Sequence, residues 1–311
     1  MSVKYLSLCI PTNGIVEWVV PVINSIYSQN VDKELFEVVV SDNGNNKYFE
    51  SCMLAYKNMY SNFVYSKNTS YLFNNQLEVL KLASGEYLKF INHRTVINDG
   101  MLIKLINVIK DYYVDKPVIF FSNGYLRLKE DCICLNSFDL FVRTLKKECS
   151  HTIGVGIWRR DYNSICSTLK VDKISPHSCI LFGKRNQTSY VINNEIFFRE
   201  IDHNHKNKGK YDLYKTFAVD EISIILNLLV DGDVTKKTFI QTKNDYKKFV
   251  KYLYMTFNLR KEPCSYILTG FNESMGIFMN KYDVIFSAYL YLFFYLIKKL
   301  LKFFLKKLEI I

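Results

Sequence analysis

The chain has no C-x-x-C pair, and its eight cysteines are thinly spread over 311 residues. That excludes a small disulfide scaffold. Several cysteines stand in apolar runs, as free core thiols do, so a reducing cytosol is the expected compartment. The apolar run before Pro11 is too short for a signal peptide, and "MSVKYLSLCIPTNG" is expected to form a first strand instead. No nucleic-acid motif occurs, and no basic helix resembles a groove reader, so nucleic acid is not an expected partner. No glycine-rich basic loop follows the first strand, where a nucleotidyltransferase would carry one; the sequence there is "IPTNGIVEW". The continuous apolar run "VIFSAYLYLFFYLI" (284–297) is shorter than the roughly 20 residues a spanning helix needs.

What is present points to a large soluble-type core. Hydrophobic residues make up 49% and charged residues 23%, enough apolar material for one large domain or a domain plus an extension. Lysine and arginine total 41 against 30 acids, a net charge of +11. With nucleic acid set aside, a phosphorylated substrate or an anionic membrane remains to explain the excess. Part of it is local: Lys298, Lys299, Lys302, Lys306 and Lys307 crowd the C-terminus, where Glu309 is the only acid.

The first 125 residues alternate between strand and helix patterns. Strands are expected at 5–12, 36–46 (closed by Asp42-Asn43-Gly44), 63–68, 86–91 and 117–123, with helices at about 15–28, 47–60, 74–83 and 98–113. Gly85 is expected to end the third helix. Continuous apolar strands between helices indicate a mostly parallel sheet covered on both faces, an α/β, Rossmann-like architecture. Ligands bind such sheets at the carboxyl ends of the strands. Asn13, Asp42, Asn68 and the 92–95 turn fall at those ends. Residues 126–235 are less regular: a half-exposed strand or hairpin over "GYLRLKEDCICLNS", a helix capped by Ser137, a strand over 152–161, another over 189–200, and helices at about 216–230 and 245–257. Residues 236–311 form a C-terminal helical region. Beyond 297 it becomes amphipathic: Lys298, Lys302, Lys306 and Glu309 on one side, with Leu300, Leu301, Phe304, Leu305, Leu308 and Ile311 on the other. Such a tail suits the surface of an anionic membrane.

The succession "LSLCIPTNG", "VVVSDNGNN" and "KNTSYLFNNQLEVLKLASGEYLKFI" resembles, in order and spacing, the nucleotide-binding half of family-2 glycosyltransferases, which have the GT-A fold. "TIGVGIWRRD" and "KGKYDLYKTFAVD" further resemble the acceptor half of bacterial O-antigen and capsule enzymes. The resemblance implies a nucleotide-sugar-binding half over 1–125, an acceptor-binding half over 126–235, and the helical extension beyond. It implies inverting transfer of a sugar from a nucleotide-sugar donor to a lipid-linked oligosaccharide, at the cytoplasmic face of the cell membrane, in surface polysaccharide synthesis. A catalytically weakened GT-A-like scaffold or binding subunit is the alternative.

The resemblance also distributes roles. Pro11, Thr12 and Asn13 would shape the floor under the nucleotide. Asp42 would read base or ribose, with an Asx turn as its structural alternative. Asn68 and Asn75 would stand near the ribose and base. Asn92-His93-Arg94-Thr95 occupies the place of the metal-binding aspartate motif, yet carries no carboxylate. Arg94, with His93, would then do some of the electrostatic work of a divalent ion. Mn2+ or Mg2+ held by other ligands, or a degenerate site, stay open, and no metal ligand set is assigned. His203, His205 and Lys210 would form a basic loop over the diphosphate; His203 and His205, with Asp202, also have ligand-like spacing. The base that takes the acceptor proton falls to Asp172, the only acid in "LKVDKISPHSCILF", then His177, then Asp161. Trp158 and Arg159 are the expected acceptor platform.

Overall fold

The protein is represented by a computed structural model that describes residues 3–187, 189–201 and 209–307. The chain divides into two compact units, Met1–Asp202 and His203–Ile311.

The first unit is built on a five-stranded sheet in the order β3-β2-β1-β4-β8. β1 (Leu6–Thr12), β2 (Phe36–Asp42), β3 (Phe63–Lys67) and β4 (Tyr87–Phe90) run parallel, while β8 (Gly156–Trp158) is antiparallel to β4. The connections are α1 (Val16–Tyr27), α2 (Lys47–Met59) and α3 (Asn75–Leu82). Every residue of β2 is buried, which explains its run of valines: both faces lie under helices, so neither can be polar. Leu8, Ile10, Val38 and Val40 meet Val19, Val22 and Ile23 of α1 in the main core. Gly85 is needed for a close approach. A Cβ there would lie 2.9 Å from the Leu6 carbonyl carbon and 2.7 Å from Ser7 Oγ, whereas α3 has already ended at Leu82.

Beyond β4 the chain forms β5 (Thr95–Ile97), α4 (Met101–Asp111), β6 (Val118–Phe121), β7 (Cys132–Leu135) and α5 (Phe138–Leu145). The Ser137 hydroxyl caps α5 by accepting from the Leu140 N–H. α6 (Arg159–Ile165), α7 (Pro176–Leu181), β9 (Tyr190–Asn193) and β10 (Phe198–Glu200) complete the unit. β6, β9 and β7 make a second sheet, and β5 pairs antiparallel with β10. Three local expectations are corrected. β5 occupies 95–97, between the expected turn and the helix expected from about 98, and three residues are too few to show a period. The expected strand at 152–161 is strand only at Gly156–Trp158, and Arg159 already opens α6. The expected strand at 189–200 is two strands, β9 and β10.

The second unit is helical: α8 (Leu213–Lys215), α9 (Glu221–Val230), α10 (Lys236–Leu253), α11 (Phe271–Ser274) and α12 (Lys281–Lys307). Thr235 caps α10, which therefore starts a good two turns before the expected 245. α12 runs without a break through both parts of the tail. Its stretch Lys281–Leu301 has a mean hydropathy of 1.7 and is, by length and composition alone, long enough to cross a membrane. The sequence reading had stopped the apolar run at the flanking charges, but the helix takes in Lys281, Asp283 and Lys298. Asp283 is paired with Lys247 and Lys251 of α10, and Val284 and Ala288 are fully buried.

At the amino ends of the strands, buried Glu37 accepts from Ser7 Oγ (2.6 Å), Ser84 Oγ (2.6 Å), the Ser84 and Gly85 N–H groups and Lys4 Nζ (2.9 Å). Burial alone would raise its pKa; the Ser7 and Ser84 donors and the Lys4 ammonium outweigh that and hold it below the ordinary 4.5. Glu37→Ala strands several buried donors and is expected to cost about 2–4 kcal/mol in urea unfolding. The stabilisation is present above pH 4.5 and lost as the pH falls through the lower folded value, so Glu37→Gln is expected to lose less stability on acidification than the wild-type chain.

Candidate functional site

β2 and β3 lie on one side of β1, while β4 lies on the other. The connections leaving β1 and β4 therefore part at the carboxyl edge and open a crevice. Thr12 closes β1, and its Oγ1 accepts from the Gly14 N–H (3.1 Å) and lies 3.1 Å from His93 Nδ1 beyond β4. Trp18 of α1 stands beneath: His93 meets it edge-on at 5.0 Å, and the Arg94 guanidinium lies 5.9 Å from its ring centre. Arg94 Nε is 3.9 Å from the Glu200 carboxylate of β10 and, though buried, has no hydrogen-bond partner among the described residues. The Arg94 side chain as a whole is only 16% exposed. Trp18 escaped the sequence reading because a tryptophan at helical spacing looks like core.

Asp42 ends β2 with its carboxylate buried. Oδ1 accepts from the Gly44 N–H (2.7 Å), an Asx turn, and Oδ2 from the Tyr65 hydroxyl (3.1 Å). Gly44 lies so close to the β1 loop that a Cβ would fall 2.0 Å from the Asn13 carbonyl oxygen. Asn75 is buried and donates to the carbonyls of Thr12 (3.0 Å) and Ser41 (2.8 Å), while its own oxygen accepts from Ser41 Oγ and Asn68. Asn68 and Asn75 thus fasten the ends of β1 and β2 to the start of α3. Asn13 is exposed at the rim, and Pro11 pairs with Ser41 in the sheet.

The expected catalytic and acceptor residues scatter. His177 is buried, with Nδ1 3.2 Å from the Gln76 side chain and Nε2 2.8 Å from the Ser150 carbonyl. Burial lowers its pKa to about 4, so the ring is neutral and donates to Ser150. With both ring nitrogens engaged, it holds the 150 segment in place. Asp172 Oδ1 accepts from the N–H groups of Ile174 (2.8 Å) and Ser175 (2.9 Å), a turn before α7. Asp161 is buried beside Arg160 and Lys184. Trp158 corrects the acceptor-platform expectation: it is 1% exposed, edge-on to Tyr87, with its N–H on the Pro117 carbonyl. It offers no open face to a sugar. Arg159 donates to the Gly85 (2.9 Å) and Ala83 (2.6 Å) carbonyls and braces the chain after α3. His203 and His205 lie outside the described residues; Lys210 is exposed in the second unit.

Two features had no sequence signal. Lys89, inside β4, is fully buried: Nζ donates to the carbonyls of Phe90 (3.0 Å), Val155 (3.3 Å) and Ile153, between the rings of Phe121 and Phe198. Burial pushes its pKa down to about 7. Three acceptors match its three donors, so it fastens the 153–155 segment to β4. The second is a group at the same carboxyl edge: Glu148, His151, Tyr125 and Glu200. His151 Nδ1 is 3.2 Å from Glu148 Oε2, and its ring meets Tyr125 edge-on at 4.9 Å.

These residues do not fit a carboxylate cage for a divalent ion. The 92–95 turn supplies one imidazole beside a guanidinium, which repels a cation. Among the described residues, no group of three or more His, Cys, Asp and Glu could hold a metal ion.

No curated protein matches the chain by sequence. Among solved structures, it is similar to S. aureus TarS 1-349 in complex with UDP-GlcNAc, with a TM-score of 0.55 and 17% identity over 78% of this chain and 71% of that one. The same TarS segment in complex with UDP gives 0.54 and 16% over 82% and 72%. A further S. aureus TarS structure gives 0.53 and 15% over 81% of this chain and 43% of that one, so this chain spans under half of it. At these identities the likeness shows the fold, the GT-A arrangement. The profile of glycosyl transferase family 2 matches residues 7–163, half of the chain and the whole crevice-forming sheet. On that match, and on this fold, the chain belongs to glycosyl transferase family 2 and is an enzyme of that family.

Proposed function

We propose that the chain transfers a sugar from a nucleoside-diphosphate donor to a lipid-linked oligosaccharide in O-antigen or capsule synthesis, with inversion at the anomeric carbon. The observation that carries this reading is the cation at the crevice: Arg94 lies against Trp18, in the turn where carboxylates would hold a metal. A guanidinium can take phosphate oxygens in a fork and absorb charge as the glycosidic bond breaks. In this reading Thr12, Asn13 and Asp42 shape the nucleotide floor, and Arg94, with His93, receives the leaving diphosphate. That S. aureus TarS has been crystallised with UDP-GlcNAc and with UDP supports a nucleotide-sugar donor on this fold.

The acceptor side rests on α12. Its first two turns are held on the second unit by Val284, Ala288 and the Asp283 ion pairs. Beyond them, 289–297 is apolar, mostly exposed helix before Lys298, about 14 Å at 1.5 Å per residue, with the Arg260 guanidinium 4.3 Å from the Tyr295 ring centre. A bilayer core is about 30 Å thick. This part is too short to span and suits insertion into one interface, with Phe293, Phe294, Leu300 and Phe303 exposed and lysines following. This supports a peripheral protein on the anionic inner face of the cell membrane, where lipid-linked acceptors are built.

Two measurements check the reading. In titrations with UDP-, GDP-, dTDP- and CDP-sugars, one donor is expected to bind, and Arg94→Ala to weaken it roughly a hundredfold, about 2–3 kcal/mol. Chelator is expected to leave that affinity within twofold; a collapse would assign the charge to a metal held elsewhere. In vesicle sedimentation, the full chain is expected to bind phosphatidylglycerol vesicles over phosphatidylcholine ones. Lys298→Glu with Lys299→Glu is expected to weaken this at least tenfold, at about 1 kcal/mol per lysine removed.

A further inference from the structure

We propose that His151, oriented by Glu148, is the catalytic base that takes the proton from the attacking hydroxyl. The inference rests on the transferase reading above and adds the group its chemistry lacks.

The residues that sequence spacing favoured are spent on structure: Asp172 caps a turn, Asp161 is ion-paired and buried, and His177 is hydrogen-bonded through both ring nitrogens. His151 differs on each count. Its side chain is 36% exposed, and its Nε2 has no hydrogen-bond partner among the described residues. Nδ1 faces Glu148 Oε2 at 3.2 Å, and that oxygen is buried with no other hydrogen bond among the described residues. A proton on Nδ1, turned to that carboxylate, leaves the Nε2 lone pair outward. This is the base-and-orienter arrangement that proton abstraction needs. The contact is loosely aligned, as such contacts often are without substrate.

The position fits as well. The His151 segment runs beside the carboxyl end of β4: Phe90 N–H donates to the Val155 carbonyl at 3.1 Å. Arg94 leaves from that same end four residues on. Lys89 anchors the segment through Ile153 and Val155, and His177 anchors it through Ser150. Two buried polar side chains thus fix the backbone on both sides of His151, which a surface histidine does not require. The groups bearing on the ring are Glu148 and Lys147 from its own turn, Glu200 of β10, Tyr125 beyond β6 and His177 of α7. Burial lowers the His151 pKa against the pull of Glu148, so the ring is neutral at pH 7 and free to accept.

The step balances without a co-reactant. The acceptor oxygen forms the new bond to the anomeric carbon as its O–H bond breaks, and the proton passes to Nε2. The electron pair of the old glycosidic bond leaves with the nucleoside diphosphate, beside Arg94. The imidazolium is paired with Glu148 until the proton escapes to solvent.

The experiment uses the full chain in detergent, the donor that binds best among the four nucleotide-sugar classes, and water as acceptor, reading nucleoside diphosphate release. His151→Gln is expected to keep donor affinity within threefold and to slow release at least a hundredfold, with partial rescue by added imidazole. Release by the wild-type chain is expected to fall in acid as His151 protonates. Glu148→Gln removes the carboxylate that favours the imidazolium, so it shifts that acid limb to lower pH, which a purely structural Glu148 would not do. Equal release by His151→Gln and the wild-type chain overturns the inference while leaving the transferase reading intact. So does a wild-type chain that binds donor and releases nothing. A wild-type chain that binds none of the four donors overturns both.

Discussion

Everything in the first unit follows from one constraint: β1 and β2 are parallel and buried on both faces, so each connection must be a helix and leave from the same edge. β2 and β3 stack outward on one side of β1, and β4 returns on the other. The loops after β1 and β4 are driven apart by that order, and the crevice exists because no other exit is available to them. The polar residues at the strand ends are then divided by depth. Near the sheet, Asn75 satisfies the Thr12 and Ser41 carbonyls, and the side chains of Ser41 and Asn68 hold it there. Those farther out differ: Asn13 is exposed at the rim, and Arg94 Nε has no hydrogen-bond partner among the described residues.

The alternation of apolar runs over 1–125 was legible because buried parallel strands and their covering helices have different lengths and periods. α1, α2, α3, β1, β3 and β4 lie within about two residues of expectation, while β2 stops at Asp42, four residues short, where the Asx turn begins. What failed was short or context-made. β5 has three residues, and its partner β10 lies a hundred positions away, so no local pattern marks either. α6 begins at Arg159 because β8 has already paired with β4, a tertiary event that a glycine-punctuated string does not announce.

The site was legible where residue type fixes chemistry and illegible where burial does. That the 92–95 turn carries an imidazole and a guanidinium and no carboxylate can be read from four letters. Trp18 and Trp158 are both buried, but one packs beside His93 and Arg94 and the other against Tyr87, a difference the letter does not carry. Asp172 and His177 have the right chemistry for a base, but turn geometry and burial consume it. Asp42 shows the same competition at the end of β2, since an Asx turn and the Tyr65 hydroxyl already engage its oxygens.

Lys89 shows how a charge can serve the site without entering it. A buried ammonium is costly unless each of its donors is met. Here three carbonyls meet them, and two of these belong to the 153–155 segment. Removing the amine would take a donor from each carbonyl and leave Val155 only the Phe90 N–H, so the segment cannot drift from β4 without a penalty. The same logic holds for His177, whose neutral ring meets the Ser150 carbonyl from the other side. Between the two anchors the backbone has little freedom, and His151 inherits that rigidity. The burial that lowers both pKa values also keeps water from competing for the carbonyls that Lys89 and His177 hold.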